Sequence, residues 1–130
     1  MYLLDTNTLI YFFKGQGNVS ARLFTVSRGE LGLSAIVLYE LKTGIAKSRN
    51  AVKRRGQLDT FVEAVEFFPF GKAEAAAAAG IRSRLERLGT PIGPLDTLIA
   101  ATALANRAKL VTHNIDEFSR IPDLAIEDWY

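Results

Sequence analysis

Residues 1–10 read MYLLDTNTLI, and the change of character at Asp5 governs how the rest of the chain is read. Tyr2-Leu3-Leu4 is a short apolar run of the kind that forms a buried strand. Asp5, Thr6, Asn7 and Thr8 are residue types that cap helix N-termini, and the apolar Leu9-Ile10-Tyr11-Phe12-Phe13 follows at once. A strand that passes through a polar cap into a helix opens a β–α unit. The pattern returns at Leu31-Gly32-Leu33, where Ser34 can cap a long helix from Ala35 to about Ser48. Between these units Val19–Arg28 reads as a further helix. Downstream, helices are expected at Ala51–Glu66, at the alanine-rich Lys72–Leu88, and at Thr97–Arg107 with Asp96 at its head. Gly89–Pro94 is a loop, and Phe67-Phe68, Lys109–Thr112 and Leu124–Ile126 are short strands. Strands alternating with helices predict a three-layer α/β/α domain with a small, mostly parallel sheet. Such sheets gather ligands outside the carboxyl ends of their strands, which puts Asp5, Ser34 and the residues after Thr112 on one edge.

Length and composition narrow the chemistry. The 130 residues, 48% hydrophobic and 23% charged, suit one compact domain over 1–130. No cysteine is present, which removes disulfides, thiol catalysis and thiolate zinc sites; a single histidine, His113, removes two-histidine metal sites. The longest uncharged run, Thr97–Asn106, is far short of the ~18 apolar residues of a membrane span, and no basic segment precedes an apolar stretch as in a signal peptide. A cytoplasmic protein is expected.

The net charge of +2 conceals an uneven distribution. Lys42–Arg55, KTGIAKSRNAVKRR, holds six basic residues and no acid. Lys42, Lys47, Arg49, Lys53, Arg54 and Arg55 are thus candidates for contacting nucleic-acid phosphates, through counterion release. A solvated helical face or a contact for an acidic protein would give the same pattern.

Three carboxylates stand where core residues belong. Ile36, Val37, Leu41 and Gly44 place Glu40 on or beside the apolar face of its helix, and Ile99, Ala100 and Ala103 do the same for Asp96. Burying an isolated carboxylate costs several kcal/mol, so each needs a partner. Taken singly, Asp5 could serve a strand-end turn, Asp96 could be an N-cap, and Glu40 could pair with a Lys or Arg. Taken together, all three fall at strand ends or in the first turns of the helices that follow. Gathered there they would repel unless a cation neutralised them, and an all-oxygen donor set selects Mg²⁺ or Mn²⁺. Ions of that kind suit phosphodiester hydrolysis by an activated water.

The same residues carry a family resemblance. LLDTNTLI (3–10), SAIVLYELKTG (34–44), GPLDTLIAATAL (93–104) and LVTHNIDEFSRIPDLAIEDW (110–129) together resemble the PIN-domain ribonucleases, and within them the VapC toxins of bacterial toxin–antitoxin pairs. The match runs through the chain in order. The resemblance implies that Asp5, Glu40 and Asp96 are metal ligands. Asn114 stands where many relatives carry Asp, which leaves open whether one or two ions bind; Asn114 would offer a neutral oxygen or orient a water, and Glu117 would act through a water. Asp116 is expected to face solvent, and Thr6, Asn7 and Thr112 to support the ligands by hydrogen bonds. His113 has no expected role.

Further implications of the resemblance are an Mg²⁺-dependent endoribonuclease cutting RNA such as tRNA, a VapB-like antitoxin that covers the acidic pocket, a homodimer, and promoter DNA reached only through the antitoxin complex. Tyr11, Phe12 and Phe13 would serve the core or the antitoxin groove, with the core favoured. Two rivals remain. A haloacid-dehalogenase-like phosphatase wants D-x-D, but the residue two after Asp5 is Asn7. A catalytically inactive PIN-like module that binds RNA or protein has Asn114 as its support.

Overall fold

The structure is a computed structural model and describes residues 1–130. Five strands form one sheet: β1 (Tyr2–Leu4), β2 (Leu31–Ser34), β3 (Glu66–Phe68), β4 (Lys109–Val111) and β5 (Ile126–Glu127). Seven helices accompany them: α1 (Thr6–Lys14), α2 (Val19–Leu23), α3 (Ala35–Ala46), α4 (Ala51–Ala64), α5 (Lys72–Arg87), α6 (Pro94–Ala105) and α7 (Ile115–Phe118). The strand order is β3-β2-β1-β4-β5, and every neighbouring pair is parallel. The chain steps from β1 outward to β3, returns across the sheet to β4, and ends at β5. Right-handed crossovers therefore put α1–α4 on one face and α5–α7 on the other. The direction of winding reverses between β1 and β4, so the ligand-gathering crevice opens there.

The central strands are sealed on both faces: Leu3, Leu4, Leu33, Leu110 and Val111 are buried in a core of 26 residues. Truncating one of them, such as Leu33→Ala, should cost about 2–5 kcal/mol. Gly32 is needed for packing. A Cβ there would lie 2.5 Å from the Phe68 ring and 2.8 Å from Leu3, so β2 lies close to its neighbours only without a side chain at this point. No helix is long and apolar enough to cross a membrane.

Several element boundaries differ from the sequence expectation. The helix expected over Val19–Arg28 ends at Leu23, where the Thr25 hydroxyl donates to the Arg22 carbonyl at 2.7 Å, and a single 3-10 turn spans Arg28–Glu30. The last central helix begins at Pro94 rather than after Asp96, because proline at the first helical position has φ already set and needs no donor. It ends at Ala105, and Arg107 turns away in the left-handed region at φ 53°. The last strand lies at Ile126–Glu127, since Leu124 is spent on a turn, its N–H donating to the Ile121 carbonyl. Helix α7 was not expected, being only four residues long.

A candidate active site of four carboxylates

Asp5 occupies the turn from β1 into α1 and caps that helix. It is 5% exposed. Its Oδ1 accepts from the Thr8 N–H at 2.8 Å, and its Oδ2 accepts from the Thr112 hydroxyl at 2.6 Å. Thr112 follows β4, so the bond crosses the crevice between the two strands where the winding reverses. The same threonine oxygen accepts from the Asn114 N–H at 3.0 Å, which fixes the start of the next loop. Burial pushes the Asp5 carboxyl above its usual range; the Thr112 and Thr8 bonds oppose this, and the charge of Glu40 adds to it.

Glu40 reaches the same edge from α3. Its Oε1 accepts from the Thr6 hydroxyl at 2.7 Å, and no Lys or Arg pairs with it, so the salt-bridge alternative fails. Asp96 is the third residue of α6, whose cap is Gly93; the N-cap alternative for this acid fails too. Its pKa is pushed up to about 7 by burial first, then by a hydrogen bond with Glu117 and by the charges of Glu117, Glu40 and Asp5. Glu117 arrives on α7 and accepts from the Asn114 side-chain amide at 2.6 Å. That bond engages the Asn114 nitrogen and leaves its carbonyl oxygen free of the pairing.

Four acids from four elements thus influence one another with no cationic side chain within ion-pair reach of any of them. Such a set of hard oxygen donors suits a hard divalent cation. As placed, no three of the side chains converge closely enough to form a ready cage. Three of the four are instead held by donors of their own, Thr8 and Thr112 on Asp5, Thr6 on Glu40 and Asn114 on Glu117, while Asp96 shares a hydrogen bond with Glu117. Asn7 departs from its expected supporting role. It is exposed on the first turn of α1 and makes no side-chain bond to the acids. Asp116 faces solvent.

The basic stretch divides. Lys42, Lys47, Arg49, Lys53 and Arg55 are exposed and free of ion pairs. Arg54 is not: its Nη1 donates to the Phe13 carbonyl at 2.9 Å and to Gln57 Oε1 at 2.8 Å, while Gln57 Nε2 donates to Phe13 at 3.2 Å. Both side chains satisfy a carbonyl at the end of α1 that the helix leaves unpaired. Arg54 is thereby a structural tie between α4 and α1, unlike its exposed neighbours. Beside it a cleft of about 230 Å³ is lined by Ile10, Phe13, Leu41, Ile45, Arg54 and Glu40. Tyr11, Phe12 and Phe13 are half-buried against the core, as favoured.

Arg120 escaped the sequence reading. Its Nη1 donates to the Pro91 carbonyl at 2.9 Å, tying the segment after α7 to the loop before α6 and so the Glu117 element to the Asp96 element. Residues 29 apart carry no local pattern that could have signalled this bond.

Comparison with known proteins agrees with this architecture. The PIN domain family model matches residues 2–124. The chain is 37% identical to Ribonuclease VapC2 of Rickettsia felis over 131 residues, covering 99% of this chain and 98% of that one. It is 34% identical to the tRNA(fMet)-specific endonuclease VapC of Salmonella typhimurium over 128 residues, at 98% and 97% coverage. Among solved structures, VapBC2 from Rickettsia felis bound to a DNA fragment from their promoter superposes with a TM-score of 0.91 at 36% identity, covering 99% of this chain and 98% of that one. DNA-bound VapBC from Salmonella typhimurium also gives 0.91, at 34% identity and the same coverage. With the parallel sheet, the acidic edge at its reversal point and relatives matched over nearly their full length, the chain belongs to the PIN-domain family, in its VapC ribonuclease branch.

Proposed function

We propose that this chain is the toxin half of a toxin–antitoxin pair, a cytoplasmic endoribonuclease that needs a divalent cation, Mg²⁺ or Mn²⁺, and cuts RNA, tRNA foremost. The observation that carries the reading is the group of four mutually influencing carboxylates with no cationic counter-charge, set where the sheet reverses its winding. Asp5, Glu40 and Asp96 would hold the cation, and Glu117 and Asn114 would orient water beside it. When bound, the ion supplies Lewis acidity toward a phosphate oxygen and lowers the pKa of water.

The chain's own residues do the rest. Thr112 and Thr8 hold Asp5 in one orientation, and Thr6 holds Glu40. Asp96, with its pKa near 7, keeps a proton through part of the neutral range, and cation binding would release it. The exposed Lys42, Lys47, Arg49, Lys53 and Arg55, on α3, the connection after it and α4, would draw in a phosphate backbone by charge.

The DNA-bound VapBC complexes to which the fold is similar support a VapB-like antitoxin as partner and promoter DNA as a target of the joint complex; a homodimeric toxin, with DNA contacted through the antitoxin, belongs to the same proposal. The relative named for tRNA(fMet) supports tRNA as substrate. Incubating total tRNA with antitoxin-free protein in Mg²⁺, in Mn²⁺ and in EDTA tests the reading. Discrete fragments that need the metal and vanish in Asp96→Asn are expected. Folded protein that binds tRNA but leaves it intact with either metal would instead favour the inactive, RNA-binding module.

A further inference from the structure

His113 sits between Thr112, which holds Asp5, and Asn114, which holds Glu117, yet its ring takes no part in the acidic group. It is built into a different arrangement. The ring stacks on Tyr130 at 4.3 Å between centroids with planes 23° apart, and the Tyr11 ring meets both edge-on, 6.0 Å from His113 and 4.8 Å from Tyr130. Asp128 locks the pair, its Oδ2 bonding His113 Nδ1 at 2.9 Å and its Oδ1 accepting the Tyr130 N–H at 2.9 Å. Asn18 holds Tyr130 from the other side, donating to its carbonyl from both backbone and side-chain nitrogen. Gly17, at φ +64°, lets Tyr130 close in to where a Cβ would meet its ring at 2.8 Å.

Despite these restraints the rings stay open. The His113 side chain is 46% exposed and Tyr130 is 44% exposed. An aromatic pair that is held still and left half in water gains little for the core. It is well suited to receiving another flat ring. The Asp128 bond assigns the His113 proton to Nδ1 in the neutral ring, so Nε2 is left as an acceptor for an exocyclic amine. His113 directly follows Thr112, whose hydroxyl bonds Asp5 at 2.6 Å, so the platform adjoins the acidic group in the chain and a neighbouring nucleotide is the ligand it would receive.

We propose that the His113–Tyr130 pair, buttressed by Tyr11, is a base-stacking platform that seats the nucleobase flanking the scissile phosphate and so contributes to the choice of cleavage site. The proposal rests on the ribonuclease reading for its occupant, an unpaired RNA base. Stacking of a base on an aromatic side chain is sequence-tolerant and worth enough to alter binding about ten-fold.

The test uses single-stranded oligoribonucleotides with 2-aminopurine at each position in turn, because stacking quenches that fluorophore whether or not the RNA is cut. Binding to wild-type protein should quench one position most strongly. His113→Ala should abolish that quench and weaken binding about ten-fold, with the melting temperature kept near that of wild type, and His113→Phe should restore both. Tyr130→Ala should act like His113→Ala where it folds. In cleavage assays His113→Ala should raise KM with kcat little changed and spread cuts over neighbouring phosphates. A quench undiminished in His113→Ala, or quenching at no position when the wild type binds, would overturn the platform. Failure of the wild type to cleave any RNA would count against the ribonuclease reading alone, since the quench is read without cleavage.

Discussion

At the carboxyl edge of the sheet, Asp5, Glu40, Asp96 and Glu117 arrive from α1, α3, α6 and α7, each with a hydrogen bond or a neighbouring acid that fixes it. Along Lys42–Arg55 the charges arrive consecutively, on the end of α3, the connection after it and the start of α4, and all but Arg54 point into water. The two regions carry opposite charge and are built differently. Acids gathered by tertiary structure lose solvent and feel one another, so Asp5 and Asp96 hold their protons more tightly than free aspartates do. Bases spread along a surface keep their solvent and act almost independently. The acidic region should therefore answer sharply and cooperatively to single substitutions, the basic region weakly and additively.

The largest effect is expected at the acids. Asp5→Asn, Glu40→Gln or Asp96→Asn should each remove several kcal/mol of transition-state stabilisation, more than ~10²-fold in tRNA cleavage rate, with a native far-UV spectrum. A variant cutting at the wild-type rate would remove that residue from the site. Next comes Arg54, the exception among the bases. Arg54→Ala should lower stability by about 1–3 kcal/mol in urea unfolding, because the Phe13 carbonyl and Gln57 lose a charged donor. The neighbouring Lys53→Ala and Arg55→Ala should stay within about 0.5 kcal/mol of wild type. Equal stabilities across the three would abolish the division within the basic stretch.

Smaller still is the effect of pH on the metal-free fold. Asp96 has a raised pKa, so between about 4 and about 7 the folded state binds more protons than the unfolded one. Stability from this group is thus greatest below the ordinary aspartate value of 3.8 and is lost as pH rises through about 7. Thermal melting in EDTA should show wild type losing ground over that window relative to Asp96→Asn. Parallel curves would show that neither burial nor the neighbouring acids raise the Asp96 pKa. The slightest change belongs to the exposed bases: each charge removed at Lys53 or Arg55 should reduce the salt slope of RNA binding by about 0.7. An unchanged slope would move RNA away from this face.

The alternation of strand and helix, and with it the parallel α/β architecture, was legible because periodicity and capping are local. Asp5, Ser34 and the run Lys109–Val111 fall where those local rules put them. Where boundaries slipped, a nearby contact intervened: Thr25 closing α2, Pro94 starting α6 early, Arg107 bending out of α6. The acids were conspicuous for a related reason. A carboxylate on an apolar helical face breaks a pattern that neighbours four residues apart define.

What separates Arg54 from Lys53 and Arg55 leaves no mark in the string KRR, because it depends on the Phe13 carbonyl of another helix. Likewise the sequence sets out His113 and Tyr130 far apart, and only the pairing of β4 with β5 brings their rings into a stack. Charge inventory, helix periodicity and the order of the elements are properties of short stretches, so the chain itself dictates them. Which oxygens share a proton, which arginine is spent on a carbonyl and which rings stay open to solvent depend on contacts between residues up to 112 positions apart. Those were decided when the sheet closed around β1.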